Sequence, residues 1–213
     1  MFFLRVLKKT VRLAYSLAIK HVKWLRPIYE TRETQTPITP SMWFLQKIIG
    51  FNRRAYWPVH FTSIVTNFRN IYAGIETCPG FMPGCYIQGH GRIYIGDYTQ
   101  ISCNVGMITS NHDLTDNRKH SVVKDIVVGR YCWIGMNVVV LPGVILGDYT
   151  IVAAGSVVST SFLEGYCVVA GVPAQIIKHL NPGECVFHKS EYEYHGYIRK
   201  DQFEEFRRKR LNV

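Results

Sequence analysis

The chain has 213 residues, of which 47% are hydrophobic and 19% charged, and it carries 25 Lys+Arg against 15 Asp+Glu, a formal net charge of +10. This composition excludes a wholly disordered chain. A polytopic membrane protein is also excluded, because the sequence has no run of about 18 apolar residues. The excess charge favours an anionic partner, such as a nucleic acid, a membrane surface or a phosphorylated small molecule.

Most of the positive charge lies at the start of the chain, where residues 1–26 hold seven bases and no acid. At about 100° per residue, their apolar side chains fall on one face and the bases in a stripe beside it. This pattern predicts a basic amphipathic helix that ends before Pro27. Two interpretations stay open: the helix lies on an anionic membrane surface, or it packs its apolar face on the body of the protein.

The same segment and the cysteines indicate the compartment. Residues 1–26 lack the uncharged core and the small-residue cleavage site of a signal peptide. The six cysteines include no C-x-x-C pair, so reduced thiols are expected. We therefore expect a cytoplasmic protein, located on the inner face of the cytoplasmic membrane if the basic helix binds there.

Residues 27–70 show no clear repeat and are interrupted by prolines. Within them, residues 41–50 are predicted to form a short helix, with Ser41 as its cap and Gly50 as its stop. We assign residues 1–70 to an N-terminal basic helix and capping region.

The clearest pattern is a six-residue repeat. From Val128 to Val158 an aliphatic residue stands at every sixth position, and the fifth position of each hexad is small or β-branched. Ile95 and Ile101 open two earlier hexads of the same kind. Short strands separated by tight corners explain this period, since both residue types then point inward and three sides complete one coil. Glycine often follows the aliphatic residue, which we attribute to a backbone bend.

The earlier hexads and those that begin at Val128 are out of phase, which indicates that a segment without the repeat separates them. This segment is the polar, aperiodic loop of residues 109–121. The loop reads TSNHDLTDNRKHS and contains His112 and His120. Functional residues concentrate on loops carried by a rigid scaffold. The loop therefore offers two catalytic candidates, His112 and His120.

Three further segments accompany the loop: CWIG at 132–135, AAGSVV at 153–158 and AGVPA at 170–174. With the hexads, they resemble the hexapeptide-repeat acyltransferases, in particular the galactoside, maltose, antibiotic and polysaccharide O-acetyltransferases. The resemblance implies an all-β core, a left-handed parallel β-helix over residues 71–180, with helical segments on both flanks. It also implies a homotrimer with active sites between subunits. Residues 181–213 remain as an aromatic tail with a final helix at 201–210.

The resemblance also implies a mechanism. His112 matches the histidine that opens the loop in those enzymes. Imidazole is partly neutral at physiological pH and can deprotonate an attacking sugar hydroxyl, a contribution of roughly 10²–10⁴ in rate. The oxyanion donor would be the backbone N–H of Met136, where many relatives have Ser. Candidates for orienting the imidazole or contacting the acceptor are Asn111, Asp113, Asp125 and His120.

Acetyl-CoA is the co-substrate that the resemblance implies, and no metal is expected. Its contacts would fall on Trp133, Gly135, Ala153, Ala154, Gly155, Ser159 and Lys178. Small residues let the backbone approach the pantetheine arm, and Lys178 matches a basic position for the phosphates. Gln175 departs from a second basic position of the galactoside enzymes.

The predicted function is an acetyl-CoA-dependent O-acetyltransferase that acts on a sugar hydroxyl in surface polysaccharide, capsular or lipopolysaccharide synthesis. Alternatives on the same scaffold are an N-acetyltransferase of a nucleotide-linked amino sugar and an antibiotic acetyltransferase. A non-catalytic β-helix scaffold and a metal-dependent hydratase using His90, His112 and His120 are less favoured. No nucleic-acid-binding motif is present, so no nucleic-acid partner is expected.

Removal of residues 1–26 tests the membrane interpretation of the basic helix. A membrane-bound helix predicts that the full chain co-sediments with anionic liposomes more strongly than the truncated chain. Added salt weakens this binding, because it screens charges at the membrane surface. Equal co-sedimentation of the two chains contradicts the membrane interpretation.

Overall fold

A computed structural model describes residues 26–213, so the predicted basic helix lies outside the described residues except for Arg26. The helices in this range are α1 (Arg26–Glu30), α2 (Pro40–Phe44), which continues into a π-helical turn (Leu45–Ile49), and α3 (Lys200–Arg210). Two 3₁₀ turns occupy Phe68–Asn70 and Pro182–Glu184. None of the helices between residues 26 and 213 has the length and apolar character needed to span a membrane.

The helix predicted at 41–50 is present, but it begins earlier than expected. Thr39 is the N-cap, since its Oγ1 accepts a hydrogen bond from the backbone N–H of Met42 at 3.2 Å. The prediction of Ser41 as the cap was wrong, because Pro40 is tolerated as the first helical residue, where its missing N–H costs nothing. Gly50 ends the segment in the left-handed conformation (φ 108°), which confirms the predicted stop.

The rest of the described chain consists mainly of very short strands. In chain order they are β1 (Ile64–Thr66), β2 (Ile71–Ala73), β3 (Tyr86–Gln88), β4 (Ile93–Ile95), β5 (Gln100–Ile101), β6 (Gly106–Ile108), β7 (Ile126–Val128), β8 (Trp133–Ile134), β9 (Val139–Val140), β10 (Ile145–Leu146), β11 (Thr150–Val152), β12 (Val157–Val158), β13 (Cys167–Gly171), β14 (Ala174–His179), β15 (Tyr194–His195) and β16 (Ile198–Arg199). The first coil thus begins at Ile64, within the segment assigned above to the cap.

These strands form three sheets that the chain visits in turn. Face A is β1-β3-β6-β9-β12, face B is β2-β4-β7-β10, and face C is β5-β8-β11-β13-β14. Within these three faces of the described chain, strands of successive coils pair in parallel, and the exception is β13 with β14, an antiparallel hairpin that ends face C. The strands β15 and β16 form a separate antiparallel pair. The result is a three-sided parallel β-helix with helical flanks, as predicted.

The interior of the β-helix contains the residues that the hexads predict. The first-position residues are at most 7% exposed: Ile95, Ile101, Ile134, Val140, Leu146, Val152 and Val158. The small or β-branched fifth-position residues are also buried, among them Thr99, Cys132, Val138, Thr150 and Ser156. Both sets point inward because a corner lies between them, as the period of six requires.

The corners themselves are made by the fourth residue of each hexad. It has a positive φ, between 56° and 86°, at Tyr98, Asn104, Tyr131, Asn137, Gly143, Tyr149 and Gly155. The glycines at the second position serve a different purpose from the backbone bend we predicted. A Cβ on Gly129 would lie 2.5 Å from the backbone nitrogen of Asp148 in the next coil. These glycines therefore permit close stacking of coils.

The left-handed tyrosines also attach the C-terminal tail. Their rings stack in a ladder with centroid distances of 5.2–5.6 Å: Tyr98, Tyr131, Tyr149 and Tyr166. Phe187 packs edge-on against two of these rings, and the hydroxyl of Tyr131 donates to the carbonyl of His188 at 2.8 Å. The tail then leads through β15 and β16 to α3, which confirms the predicted final helix with one additional residue at its start.

Gly129→Ala tests the requirement for close coil stacking. The added methyl group meets backbone atoms, so we expect a loss of about 1–3 kcal/mol of unfolding free energy, measured by denaturant unfolding. Gly106→Ala is the matched control, because its Cβ would meet only Val139 side-chain atoms at 3.7 Å or more. Equal stability of the two variants would contradict this explanation.

Candidate active site

The loop of residues 109–121 leaves the β-helix at the corner between faces A and B in the third coil. Its entry is fixed by Gln88 of β3, which is buried. The Oε1 atom of Gln88 accepts from the backbone N–H groups of Thr109 (3.1 Å) and Ser110 (2.9 Å). These hydrogen bonds connect the loop to the preceding coil and replace the strand pairing that ends there.

Beyond this anchor the loop is a small hairpin that places two histidines side by side. Backbone N–H groups of Ser121 and Asp113 donate to the carbonyls of Asn111 (2.8 Å) and Lys119 (2.9 Å). His112 and His120 lie opposite each other in an antiparallel bridge, with ring centroids 4.7 Å apart. The irregular sequence therefore has a defined backbone that presents His112 at its entry.

The imidazole of His112 has a definite hydrogen-bond partner. Its Nδ1 lies 2.7 Å from the backbone carbonyl oxygen of Asn117. A carbonyl oxygen only accepts, so this contact requires the proton on Nδ1 and leaves the lone pair of the neutral ring on Nε2. The side chain is exposed, so Nε2 is accessible to a substrate. His112 thus has the tautomer that a general base needs.

The two candidate carboxylates are engaged elsewhere. Oδ1 of Asp113 accepts from the hydroxyl of Thr115 (2.7 Å) and from the N–H groups of Thr115 and Asp116. These bonds, led by that of the Thr115 side chain, lower the pKa of Asp113. Oδ1 of Asp125 accepts from the N–H of Arg92 at 2.7 Å. The group that orients His112 is instead a backbone carbonyl, which no side-chain pattern in the sequence could have revealed.

Asn111 and His120 have different surroundings. The carbonyl oxygen of Asn111 accepts from both the N–H and the hydroxyl of Ser121, so its backbone closes the hairpin. The ring of His120 lies between those of His112 and His90, the latter at 6.0 Å. Although these three rings are neighbours, no group of three or more residues able to hold a metal ion occurs among residues 26–213.

A second group of predicted residues lies at the corner between faces C and A. Gly135 admits no side chain, since a Cβ would lie 2.7 Å from the backbone nitrogen of Ala154. The N–H of Gly155 donates to the carbonyl of Met136 at 2.8 Å, which joins the corners of two coils. Nothing lies within 4 Å of the position a Cβ on Gly155 would take. The backbone at this corner is therefore open to a ligand.

Large apolar side chains flank this open backbone. Trp133 is 57% exposed and Met136 44% exposed. Ala153 is held by a hydrogen bond from its N–H to the carbonyl of Val169 (2.9 Å). Ser159 directly follows β12 and Lys178 pairs with Val168 on the antiparallel edge of face C; both side chains are exposed. Exposed indole, bare backbone and an amine make a surface suited to an extended ligand with anionic groups.

Most of the predicted site residues therefore fall into two groups on different edges of the β-helix, whereas Ser159 lies at the end of face A toward face B and Lys178 on β14 of face C. His112 and its hairpin lie at the corner between faces A and B, whereas Met136 and Ala154 lie at the corner between faces C and A. A single chain separates these groups by the width of face A. Sequence reasoning missed Gln88 and Asn117, which position the loop and its histidine, because the hexad pattern before Ile95 is weak and because Asn117 acts through its backbone.

Known proteins share both the sequence pattern and the fold. Residues 125–160 match the family described as bacterial transferase hexapeptide (six repeats). The chain is 30% identical over 150 residues to the galactoside O-acetyltransferase of Escherichia coli (strain K12), covering 68% of this chain and 70% of that protein. It is 37% identical over 90 residues to a putative lipopolysaccharide biosynthesis O-acetyl transferase of the same organism, covering 42% and 45%. The second match thus spans less than half of that relative.

Two solved structures show the same architecture. A galactoside acetyltransferase in complex with coenzyme A has a TM-score of 0.56 and 23% identity, covering 81% of this chain and 88% of the other. A maltose O-acetyltransferase from Clostridium difficile 630 has a TM-score of 0.51 and 20% identity, covering 79% and 86%. With the match to the galactoside enzyme over more than two thirds of both chains, the repeats and the left-handed parallel β-helix show that this chain belongs to the hexapeptide-repeat acetyltransferase family.

Proposed function

We propose that the protein is an acetyl-CoA-dependent O-acetyltransferase that acts on a sugar hydroxyl in the synthesis of surface polysaccharide or lipopolysaccharide. The observation that carries this proposal is the His112 hairpin, in which Nδ1 donates to the Asn117 carbonyl and Nε2 keeps its lone pair. The names of the relatives support the acceptor class, since they include galactoside and lipopolysaccharide O-acetyltransferases.

The reaction begins with the sugar hydroxyl hydrogen-bonded to Nε2 of His112. As the oxygen attacks the thioester carbonyl of acetyl-CoA, Nε2 takes the hydroxyl proton. The Asn117 carbonyl stays bonded to Nδ1–H and stabilises the imidazolium that forms. The tetrahedral intermediate collapses with cleavage of its C–S bond, and the departing thiolate receives the proton from the imidazolium. The products are an acetyl ester and free coenzyme A.

Acetyl-CoA would bind on the open corner between faces C and A. The pantetheine arm would lie along the backbone of Ala153, Ala154 and Gly155, where no side chain obstructs it. Trp133 provides an apolar surface and Lys178 a positive charge for the phosphates. Ser159 follows β12 at the far end of face A, so its hydroxyl would serve only where the ligand extends beyond this corner. The backbone N–H of Met136 would donate to the oxyanion, so the Ser hydroxyl that many relatives have at this position is not required.

The separation of the two residue groups supports a homotrimer. His112 cannot meet an acetyl group held at the Ala154 corner of its own chain, because face A lies between them. Packing three β-helices side by side would bring the His112 edge of one subunit to the Ala154 edge of its neighbour. Residues 26–63 would cap the coils, residues 64–180 would form the catalytic β-helix, and residues 181–213 would brace one edge. The seven bases of residues 1–26 would attract this segment to the anionic cytoplasmic face of the membrane.

His112→Asn tests the base. The amide can still donate to the Asn117 carbonyl but cannot take a proton, so we expect kcat to fall by roughly 10²–10⁴. Acetyl-CoA affinity, measured by calorimetry, should not change. His60→Asn is the control, since His60 lies before β1 and its Nδ1 contacts only Thr62 in the described chain. Unchanged acetyl transfer by the His112 variant would contradict the assigned role.

Subunit mixing tests the site between chains. His112→Asn and Ala154→Trp each remove one half of the site, the second by filling the groove. If each site takes its halves from two chains, random co-assembly of the two inactive variants in equal amounts restores about a quarter of all sites, because every mixed trimer regains one site in three. A site built within one chain would regain no activity on mixing.

A further inference from the structure

A basic pocket lies beside the first coil, outside the residues discussed so far. Two adjoining cavities, the larger of about 960 Å³, share Arg53, Arg54, Phe68 and Arg69 in their walls. Lys47 and Arg210 add to the second cavity, and no acidic residue between positions 26 and 213 lines either one. Together these five cations form what we call the arginine pocket: Lys47, Arg53, Arg54, Arg69 and Arg210.

The charges of the arginine pocket have no ion-pair partner among residues 26–213. None of the five forms an ion pair with a carboxylate in the described part of the chain, whereas Arg130, Arg199 and Lys200 do. Nζ of Lys47 instead donates to the carbonyl of Ala55 (3.1 Å) and lies 4.4 Å from the centre of the Tyr197 ring. Burial, with a smaller effect of Arg53, lowers the pKa of Lys47 to about 8. Cations gathered without acids in a concave surface favour an anionic ligand.

The arginine pocket lies on the same edge of the β-helix as His112. Asn67, Arg69 and Asn70, which line it, form the corner between faces A and B in the first coil. The side chain of Asn70 donates to the carbonyls of Gly89 (2.9 Å) and His90 (3.3 Å) at the same corner of the second coil. The His112 hairpin occupies this corner in the third coil, and coils stack about 4.8 Å apart, so about 10 Å separates the two.

We propose that the arginine pocket binds a phosphate or diphosphate group of the carbohydrate acceptor, while the hydroxyl to be acetylated reaches Nε2 of His112. This inference rests on the proposed function and narrows its substrate to phosphorylated sugars. Guanidinium groups suit the ligand, because each forms paired charge-assisted hydrogen bonds to phosphate oxygens. Coenzyme A also carries phosphate groups, so the binding experiment below includes competition by coenzyme A to distinguish it from the acceptor.

Apolar side chains next to the arginine pocket bear on which group is attached to the phosphate of the acceptor. Ile48, Ile49 and Phe51 immediately precede Arg53 and are 46–56% exposed. Such a surface would suit the lipid part of a lipid-linked sugar diphosphate, whereas a nucleotide-linked sugar would leave it uncovered. The experiment therefore compares these two sources of the same phosphate chemistry.

The first measurement is calorimetric binding of inorganic pyrophosphate, which does not depend on acetyl transfer. We expect the double variant Arg54→Ala/Arg69→Ala to bind at least about tenfold more weakly than the natural chain. Arg208→Ala is the matched control, an exposed arginine of α3 outside the pocket, and should bind like the natural chain. Equal affinity of all three proteins, or displacement of pyrophosphate by coenzyme A, would overturn the proposal.

The second measurement is acetyl transfer to a sugar with and without its phosphate, and to lipid-linked and nucleotide-linked sugar diphosphates. The double variant should raise KM for phosphorylated acceptors at least about tenfold, keep kcat, and leave the unphosphorylated sugar unaffected. If the natural chain acetylates phosphorylated sugars with a KM that the arginines do not influence, the pocket proposal fails while the proposed function stands. If pyrophosphate binding depends on the arginines but no sugar is acetylated, the proposed function fails while the phosphate site stands.

Discussion

Direct contact between the backbones of successive coils is the constraint on which this structure depends. At Gly129 and Gly135 the next coil approaches so closely that even a methyl group would overlap backbone atoms. Parallel strands supply the hydrogen bonds between coils, and left-handed residues such as Tyr131 and Asn137 turn the chain at each corner. Because every coil is stacked on the last, a position on an edge is fixed relative to all other positions on that edge.

This rigidity explains how a polar loop can serve as a site. The 109–121 hairpin is inserted between β6 of face A and β7 of face B. After the insertion, β7 pairs with β4 of the preceding coil, so face B continues unbroken. Gln88 holds the entry of the loop, and the backbone carbonyl of Asn117 holds the ring of His112. The scaffold thus positions the loop, and the loop presents the candidate base.

The three-sided shape also divides the chemistry among edges. The histidine hairpin and the arginine pocket share the edge between faces A and B, whereas the open backbone at Ala154 lies on the edge between faces C and A. The tyrosine ladder occupies the remaining edge and binds the C-terminal tail. The candidate base and the proposed acceptor charge site are therefore aligned in one chain, and the proposed coenzyme groove lies on another edge, which is why we propose a site built between subunits.

The sequence by itself determined the coil architecture and the position of the catalytic candidate. A strict period of six, from Val128 to Val158, is compatible with a three-sided β-helix and not with an amphipathic helix, and the break in that period identified the His112 loop. Only the tertiary structure showed which residues contact one another at these sites. The hydrogen bond between His112 and the Asn117 carbonyl involves a backbone group, which leaves no pattern in the sequence. The arginine pocket brings residues 47–69 together with Arg210, and such an approach of distant segments leaves no periodic pattern in a single sequence. The same holds for the second-position glycines, which the sequence revealed but whose purpose, close packing rather than bending, appeared only once the next coil was in place.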